Sequence, residues 1–215
     1  QEAIRLGEHL VATGTETILL AGTTGESPTL THDEEFHLFE KFVDHFKGKA
    51  KIMAGTGSNS TVTAIRSTQT AESIGVDAVL QVVPYYNKPS QEGMYQHFKA
   101  VAESTSLPVL LYNIPGRTGV NMDAETMARL AEIDNIVGVK EAAGSAEQVA
   151  KIRAATPDDF EIYSGDDGLT LDFMDNGASG VVSVASHVAG SQISEMITAY
   201  LLSLIHISEP TRPSQ

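Results

Sequence analysis

The sequence contains no cysteine. Disulfides, thiolate metal sites and cysteine nucleophiles are therefore excluded, and covalent chemistry falls to lysine, serine, threonine or aspartate. Positive charge is scarce: 14 basic side chains stand against 28 acidic ones, a formal net charge of −14 scattered along the chain with no tail or block. Such a surface repels phosphate backbones, so no nucleic-acid partner is expected. No apolar run approaches the roughly 18 residues of a membrane helix. Gln1 opens a helical pattern instead of a signal peptide, and a cytoplasmic protein with no membrane partner is expected. Neither a glycine-rich dinucleotide fingerprint nor a phosphate-binding loop is present. The seven histidines show no ligand spacing; His32, His37 and His45 lie on or beside one expected helix, and no metal is expected.

What is present is one domain's worth of core, with 41% hydrophobic residues in 215. Seven short β-branched or apolar runs recur at residues 17–22, 51–56, 77–83, 108–113, 135–140, 160–165 and 179–184. Between them the apolar period becomes helical, as in 33–46, where Phe36, Phe39, Val43 and Phe46 make one face. Thr31 and Asp123 stand at plausible helix starts with acidic first turns. This alternation predicts a parallel sheet, either doubly wound or closed as a (β/α)8 barrel. The barrel is favoured because "GTTGES", "PYYN", "YNIPGRTG", "VKEAAG" and "SGDD" all stand where strands end, the side on which barrel sites are built. Residues 1–13 read as the helix before the first visible strand, which would put the barrel's first strand ahead of Gln1. Residues 203–215 drop the pattern, add Pro210 and Pro213, and resemble a translated sequencing-library adapter. The expected division is an incomplete barrel domain over 1–202 and a non-native or disordered tail over 203–215.

Lys140 ends the apolar run "NIVGVK". Strand alternation puts Ile136, Gly138 and Lys140 on one face and Val137 and Val139 on the other, so valines packed outward would aim Lys140 into the barrel mouth. By the same parity Leu110 and Tyr112 point inward from the neighbouring strand, and Gly138 leaves room below a long side chain. A buried lysine becomes nucleophilic when desolvation lowers its pKa by roughly three units, at a cost of about 4 kcal/mol. The structural alternative pairs Lys140 with Glu141 or with an aspartate of "SGDD" at the rim.

Together, "GTTGES" (22–27), "PYYNKPSQEG" (84–93), "YNIPGRTG" (112–119), "GVKEAAG" (138–144) and "SGDD" (164–167) resemble the dihydrodipicolinate synthase family of pyruvate-dependent class I aldolases, over about residues 1–200. The resemblance implies that Lys140 forms a Schiff base with pyruvate, that Tyr112 shuttles protons, and that Thr23 links it to Tyr86, which reaches a neighbouring subunit of a homodimer or homotetramer. It implies that Thr24 binds the pyruvate carboxylate, that the backbone carbonyl of Val182 faces the ketoacid, and that Gly165 keeps the pocket floor clear. Arg117 would take the carboxylate of aspartate semialdehyde through its planar fork. No cofactor is implied. Helices that follow the last barrel strand in the family are absent or replaced here. At the family's lysine-inhibition site Ser27, His32, Asn59 and Tyr85 agree with the inhibitable type, whereas Glu35 and Thr63 replace a histidine and a glutamate, so weak or absent inhibition is expected.

Each residue has a plainer reading: Tyr112 and Tyr86 as rim aromatics, Thr23 and Thr24 as turn caps, Arg117 as partner of a surface acid. The rival activities are N-acetylneuraminate lyase and 2-keto-3-deoxy sugar acid aldolase, against which Arg117 and the threonine pair argue. A barrel that binds a ketoacid without turnover, or an inactive fragment, is the rival outside enzymology.

Overall fold

The computed structural model describes residues 1–203; the tail expected over 203–215 lies, from residue 204 on, outside the described residues. Helices and strands alternate: α1 (Glu2–Ala12), β1 (Thr17–Leu20), α2 (His32–Phe46), β2 (Lys51–Gly55), α3 (Thr61–Ile74), β3 (Ala78–Val82) and α4 (Gln91–Ala102). There follow β4 (Val109–Asn113), the short α5 (Pro115–Thr118), α6 (Ala124–Leu130), β5 (Ile136–Glu141), α7 (Ala146–Ala155), β6 (Glu161–Ser164), α8 (Thr170–Met174), β7 (Gly180–Val181) and α9 (Ser186–Leu201). All seven expected strands are found; β5 keeps the length of its run but is shifted by one residue, the other six are shorter, and β7 shrinks to two residues.

The strands pair in parallel and in chain order, β1 through β7. Sequential parallel pairing requires every crossover helix to return over the same face, which curls the sheet as in a barrel wall. Among the described residues no ladder joins β7 to β1. The helical layer nevertheless meets there: Gly190 of α9 lies so close to the end of α1 that an added Cβ would sit 2.5 Å from Thr13 Oγ1.

Local chemistry starts the helices where the loops end. Thr31 caps α2 in a reciprocal box, its hydroxyl accepting the Glu34 N–H at 3.3 Å while its own N–H donates to Glu34 Oε2 at 2.8 Å. Ser60, Ser90 and Ser145 cap α3, α4 and α7 through their hydroxyls. Asp123 precedes α6 as expected but makes no side-chain cap bond. The face of α2 is rotated from the expected one. Phe39, Phe42 and Phe46 are buried, while Phe36 and Val43 are only partly covered at the flanks.

The core lies between sheet and helices, with Val109, Leu111, Val139 and Ile162 from the strands meeting Phe98, Met127, Val149 and Ile152 from the helices. Ile136 belongs to this layer too, contrary to the parity that put it with Lys140. The β4–β5 ladder slips between Val109 and Leu110, pairing Val109 with Ile136 but Leu110 with Gly138. The skipped Val137 is left 36% exposed. A bulge of this kind reverses facing on one side of itself only, so Gly138 and Lys140 keep the expected inward direction.

Candidate active site

Gly138 marks a tighter spot than the sequence suggests. A Cβ there would fall on the Glu161 carbonyl oxygen of β6, so the glycine lets two strand backbones approach and does not simply vacate space under Lys140. Above it Lys140 stands opposite Tyr112 of β4 on one side and Tyr163 of β6 on the other. It is 8% exposed and its Nζ lies over the face of the Tyr112 ring, 4.3 Å from the centroid.

Lys140 makes no ion pair among the described residues. Glu141 follows on the strand and faces the other way, into hydrogen bonds from Asn113, Gln148 and Ala143. Asp167 is engaged by the Ser183 hydroxyl and by the N–H groups of Val184 and Ala185, at 3.1 and 2.9 Å, which fastens the turn after β7. The two acidic partners named as alternatives are thus both occupied elsewhere. Burial brings the Lys140 pKa from 10.5 down to about 8; the negative charge of Asp167 opposes this and the positive charge of Arg117 adds to it. Tyr112 is half-buried, and the same desolvation raises its pKa against the pull of Arg117.

Gly165 adjoins this pair. Its N–H donates to the Glu141 carbonyl at 2.8 Å, and a Cβ would stand 3.1 Å from Lys140 Cε and 2.8 Å from the Ala142 Cβ. Val182 follows β7, its N–H donating to the Ser164 carbonyl at 2.9 Å. Arg117 lies exposed on α5, in the loop from β4 to α6, and pairs with no carboxylate among the described residues. Thr23 and Thr24 begin a single 3-10 turn after β1; both are exposed, and neither hydroxyl caps it.

Tyr86 stands apart. It is 90% exposed, with φ at 73°, its N–H donating to the Thr118 carbonyl at 3.2 Å. A large aromatic held outward on left-handed backbone is unusual for a non-glycine residue. The structure therefore brings together Lys140, Tyr112, Gly165 and the fields of Arg117 and Asp167, sets Thr23, Thr24 and Val182 at the same end of the sheet, and leaves Tyr86 in solvent.

Four participants escaped sequence reasoning in whole or in part. Tyr163 was hidden because its parity becomes useful only once the β5–β6 register is known. Asp167 was seen only as part of a rim motif, with no sign of the turn it fastens. Asn113 and Glu141 each follow an inward residue of a neighbouring strand, and that coincidence was the available signal. Two clefts lie elsewhere, of about 710 Å³ between α1 and α2 and of about 400 Å³ beside Asn121 and Gln148. Neither is lined by Lys140, so the site rests on convergence of strand ends and not on cavity size. Among the described residues no cluster of His, Asp and Glu could hold a metal, and no helix is long and apolar enough to cross a membrane.

Residues 1–203 match the dihydrodipicolinate synthetase family. The chain is 59% identical over 196 residues to the 4-hydroxy-tetrahydrodipicolinate synthase of Acaryochloris marina, an alignment covering 91% of this chain and 67% of that one. A crystal structure of dihydrodipicolinate synthase from Bacillus anthracis superposes with a TM-score of 0.92 at 53% identity, covering 94% of this chain and 69% of the other. The enzyme of Cyanidioschyzon merolae, solved with lysine bound, superposes with a TM-score of 0.90 at 52% identity, covering 92% and 67%.

Proposed function

We infer the function from one premise: the chain belongs to the dihydrodipicolinate synthetase family. It is a lyase-type synthase that condenses pyruvate with aspartate semialdehyde to 4-hydroxy-tetrahydrodipicolinate, a step of diaminopimelate and lysine biosynthesis. The observation that carries this reading is Lys140, a buried amine without an ion pair among the described residues, with its pKa near 8, at the C-terminal end of a barrel strand. A lysine so placed is uncharged often enough near neutrality to attack a ketone.

In the proposed mechanism Lys140 Nζ adds to the pyruvate ketone and water leaves, with Tyr112 passing the protons. The resulting iminium withdraws electrons from the adjacent methyl, a proton departs, and the enamine carbon attacks the aldehyde of the second substrate. The substrate's own amine then closes the ring on the imine carbon and releases Lys140. Thr24 and the Val182 carbonyl hold the ketoacid, Arg117 holds the second carboxylate, and Gly165 leaves the Lys140 stem free to move. No cofactor enters this scheme.

Thr23 relays between Tyr112 and the Tyr86 of a second subunit; the exposed, outward Tyr86 supports a homodimer or homotetramer. The open edges of β1 and β7, bridged by the contact of α9 with α1, support an eight-stranded barrel whose remaining strand would fill that gap. Lysine inhibition is weak or absent, because Thr63 stands where a glutamate would partner the inhibitor's ammonium; Glu35 is itself engaged by the Ser27 hydroxyl at 2.6 Å and by His32 Nδ1 at 3.2 Å. Clear inhibition by submillimolar lysine would contradict that last point.

The test is incubation with pyruvate and borohydride, followed by peptide mapping. A reduced adduct on Lys140, with pyruvate then consumed alongside aspartate semialdehyde and not N-acetylmannosamine, is the expected result. A folded sample without the adduct, or with the adduct on another lysine, would refute the reading.

A further inference from the structure

Immediately behind Lys140 lies a polar cluster that the condensation leaves unused. Strand alternation turns Asn113 and Glu141, the last residues of β4 and β5, away from the site toward the helices, and both are fully buried. The Glu141 carboxylate accepts Asn113 Nδ2 at 3.2 and 3.0 Å on its two oxygens, Gln148 Nε2 at 3.0 Å and the Ala143 N–H at 2.6 Å. Every neighbour donates, so the position calls for a group that only accepts, which an ionised carboxylate does and an amide does not. Asn113 cannot turn over to accept, because its Oδ1 already takes the Met122 N–H at 3.0 Å.

The cluster reaches one element further. Asn113 Nδ2 and Gln148 Nε2 also meet Asn121 Oδ1, at 2.8 and 3.1 Å, and Asn121 Nδ2 donates to Gln148 Oε1 at 3.0 Å. Asn113 is where the loop carrying Arg117 leaves β4, and Asn121 and Met122 are where it returns. Both ends are thereby tied through Glu141 and Gln148 to the strand that bears Lys140. Gln148 Nε2 also reaches the Met122 carbonyl at 3.5 Å, while the bonds of Gln91 Nε2 to the Asn121 carbonyl at 2.8 Å, of the Asp123 N–H to Gln91 Oε1 at 3.1 Å and of the Tyr86 N–H to the Thr118 carbonyl come from the β3–α4 side and do not reach β5.

We propose that Glu141 is a positioning residue that holds the Arg117 loop in register with Lys140, and thereby governs recognition of the second, carboxylate-bearing substrate and not attack on the first. This rests on the function inferred above. Lys140 keeps its place through the backbone ladders of β5 to β4 and β6, which the Glu141 side chain does not enter. The Arg117 loop has no such ladder.

The test compares the unsubstituted protein with Glu141→Gln, with Asn121→Ala, and with Glu141→Gln combined with Gln148→Glu, which exchanges amide and carboxylate. Asn121→Ala cuts the loop's return end while leaving the contacts of Glu141 with Asn113, Gln148 and Ala143 in place, and it decides the matter alone if Glu141→Gln does not fold. Two quantities are read: the borohydride-trapped pyruvate adduct on Lys140, and the KM for aspartate semialdehyde against that for pyruvate. In both single variants the adduct should stay within about twofold while the KM for aspartate semialdehyde rises about tenfold, the scale of a misplaced binding group. The exchange should recover most of that rise. Parallel loss of adduct and of both KM values, or an unchanged KM for aspartate semialdehyde in Asn121→Ala, would overturn the proposal alone. Absence of the adduct in the unsubstituted protein would overturn the function, and this proposal with it.

Discussion

Lys140 and Glu141 are consecutive buried residues of one strand that face opposite ways, and burial pushes each toward its uncharged form. Lys140 faces inward, carries no ion pair among the described residues, and has its pKa brought down to about 8. Glu141 faces the helices, and each of its oxygens is met by a donor. Burying a polar group without partners costs about 1–3 kcal/mol or more, so a fold that can satisfy one residue could in principle satisfy its neighbour. The strand does so only on the side where no substrate must bind. Within this strand the face left without an ion pair is the one with a chemical use, and the hydrogen-bonded face supplies the rigidity that keeps it there.

The largest expected effect comes from removing the unsatisfied partner of this pair. Lys140→Met should lower condensation on the order of 10³-fold or more, because no other group can form the imine. The same substitution should stabilise the fold. A lysine whose folded pKa lies below its unfolded one destabilises the protein wherever it is protonated in the unfolded state: fully below about 8, fading as pH rises to 10.5. The gain is about 3 kcal/mol at pH 7, read as a rise in Tm that disappears above pH 10.5; a fall in Tm at pH 7 would break the comparison.

Next is Gly165→Ala. Its Cβ would press on Lys140 Cε and the Ala142 Cβ, which a packed strand end can relieve only by shifting the lysine. About a hundredfold loss in kcat is expected, the scale of a displacement near 1 Å, with a melting curve that moves far less than the rate does.

His97 sharpens the comparison from the helix side, where Gln81 Oε1 and Arg153 Nε also lack partners among the described residues. It is buried, its Nδ1 meets the Thr61 hydroxyl at 2.9 Å, and its Nε2 has no partner. Burial alone lowers its pKa from 6.5 to about 4. The unfolded chain therefore takes up the proton first, and stability intact above pH 6.5 is lost as pH falls toward 4, by about 3 kcal/mol in all. His97→Gln should flatten this slope in Tm against pH; an unchanged slope would assign the acid sensitivity elsewhere.

The smallest effect calibrates the rest. Thr31→Ala removes an exposed, fully reciprocated cap and should cost about 1 kcal/mol in chemical denaturation, with no change in catalysis.

Much of the fold was legible in short stretches. Seven apolar runs became seven strands because a β-branched run between polar turns has few other ways to bury itself, and Thr31 announced the start of α2 by a chemistry confined to a few residues. The inward direction of Tyr112 and Lys140 followed from the two-residue period of a strand. Ile136 defeated that reasoning, since one extra residue at Val137 reverses the facing before it and leaves no mark in composition. The face of α2 was read about one residue out of phase, because four phenylalanines spread over fifteen residues define a broad stripe whose centre is set by what packs on it.

The sequence alone determined the parallel α/β alternation, the strand ends that carry chemistry, and the lysine and tyrosine on neighbouring strands, since each depends on sterics within a few residues. Only the tertiary structure decided that Lys140 would lack an ion pair, that Tyr86 would stand in solvent, and that Asn113, Asn121, Glu141 and Gln148 would close one network. A pKa or a buried hydrogen bond depends on which groups the chain brings together across four elements, and that distance is a property of the folded molecule, with no counterpart in residue spacing.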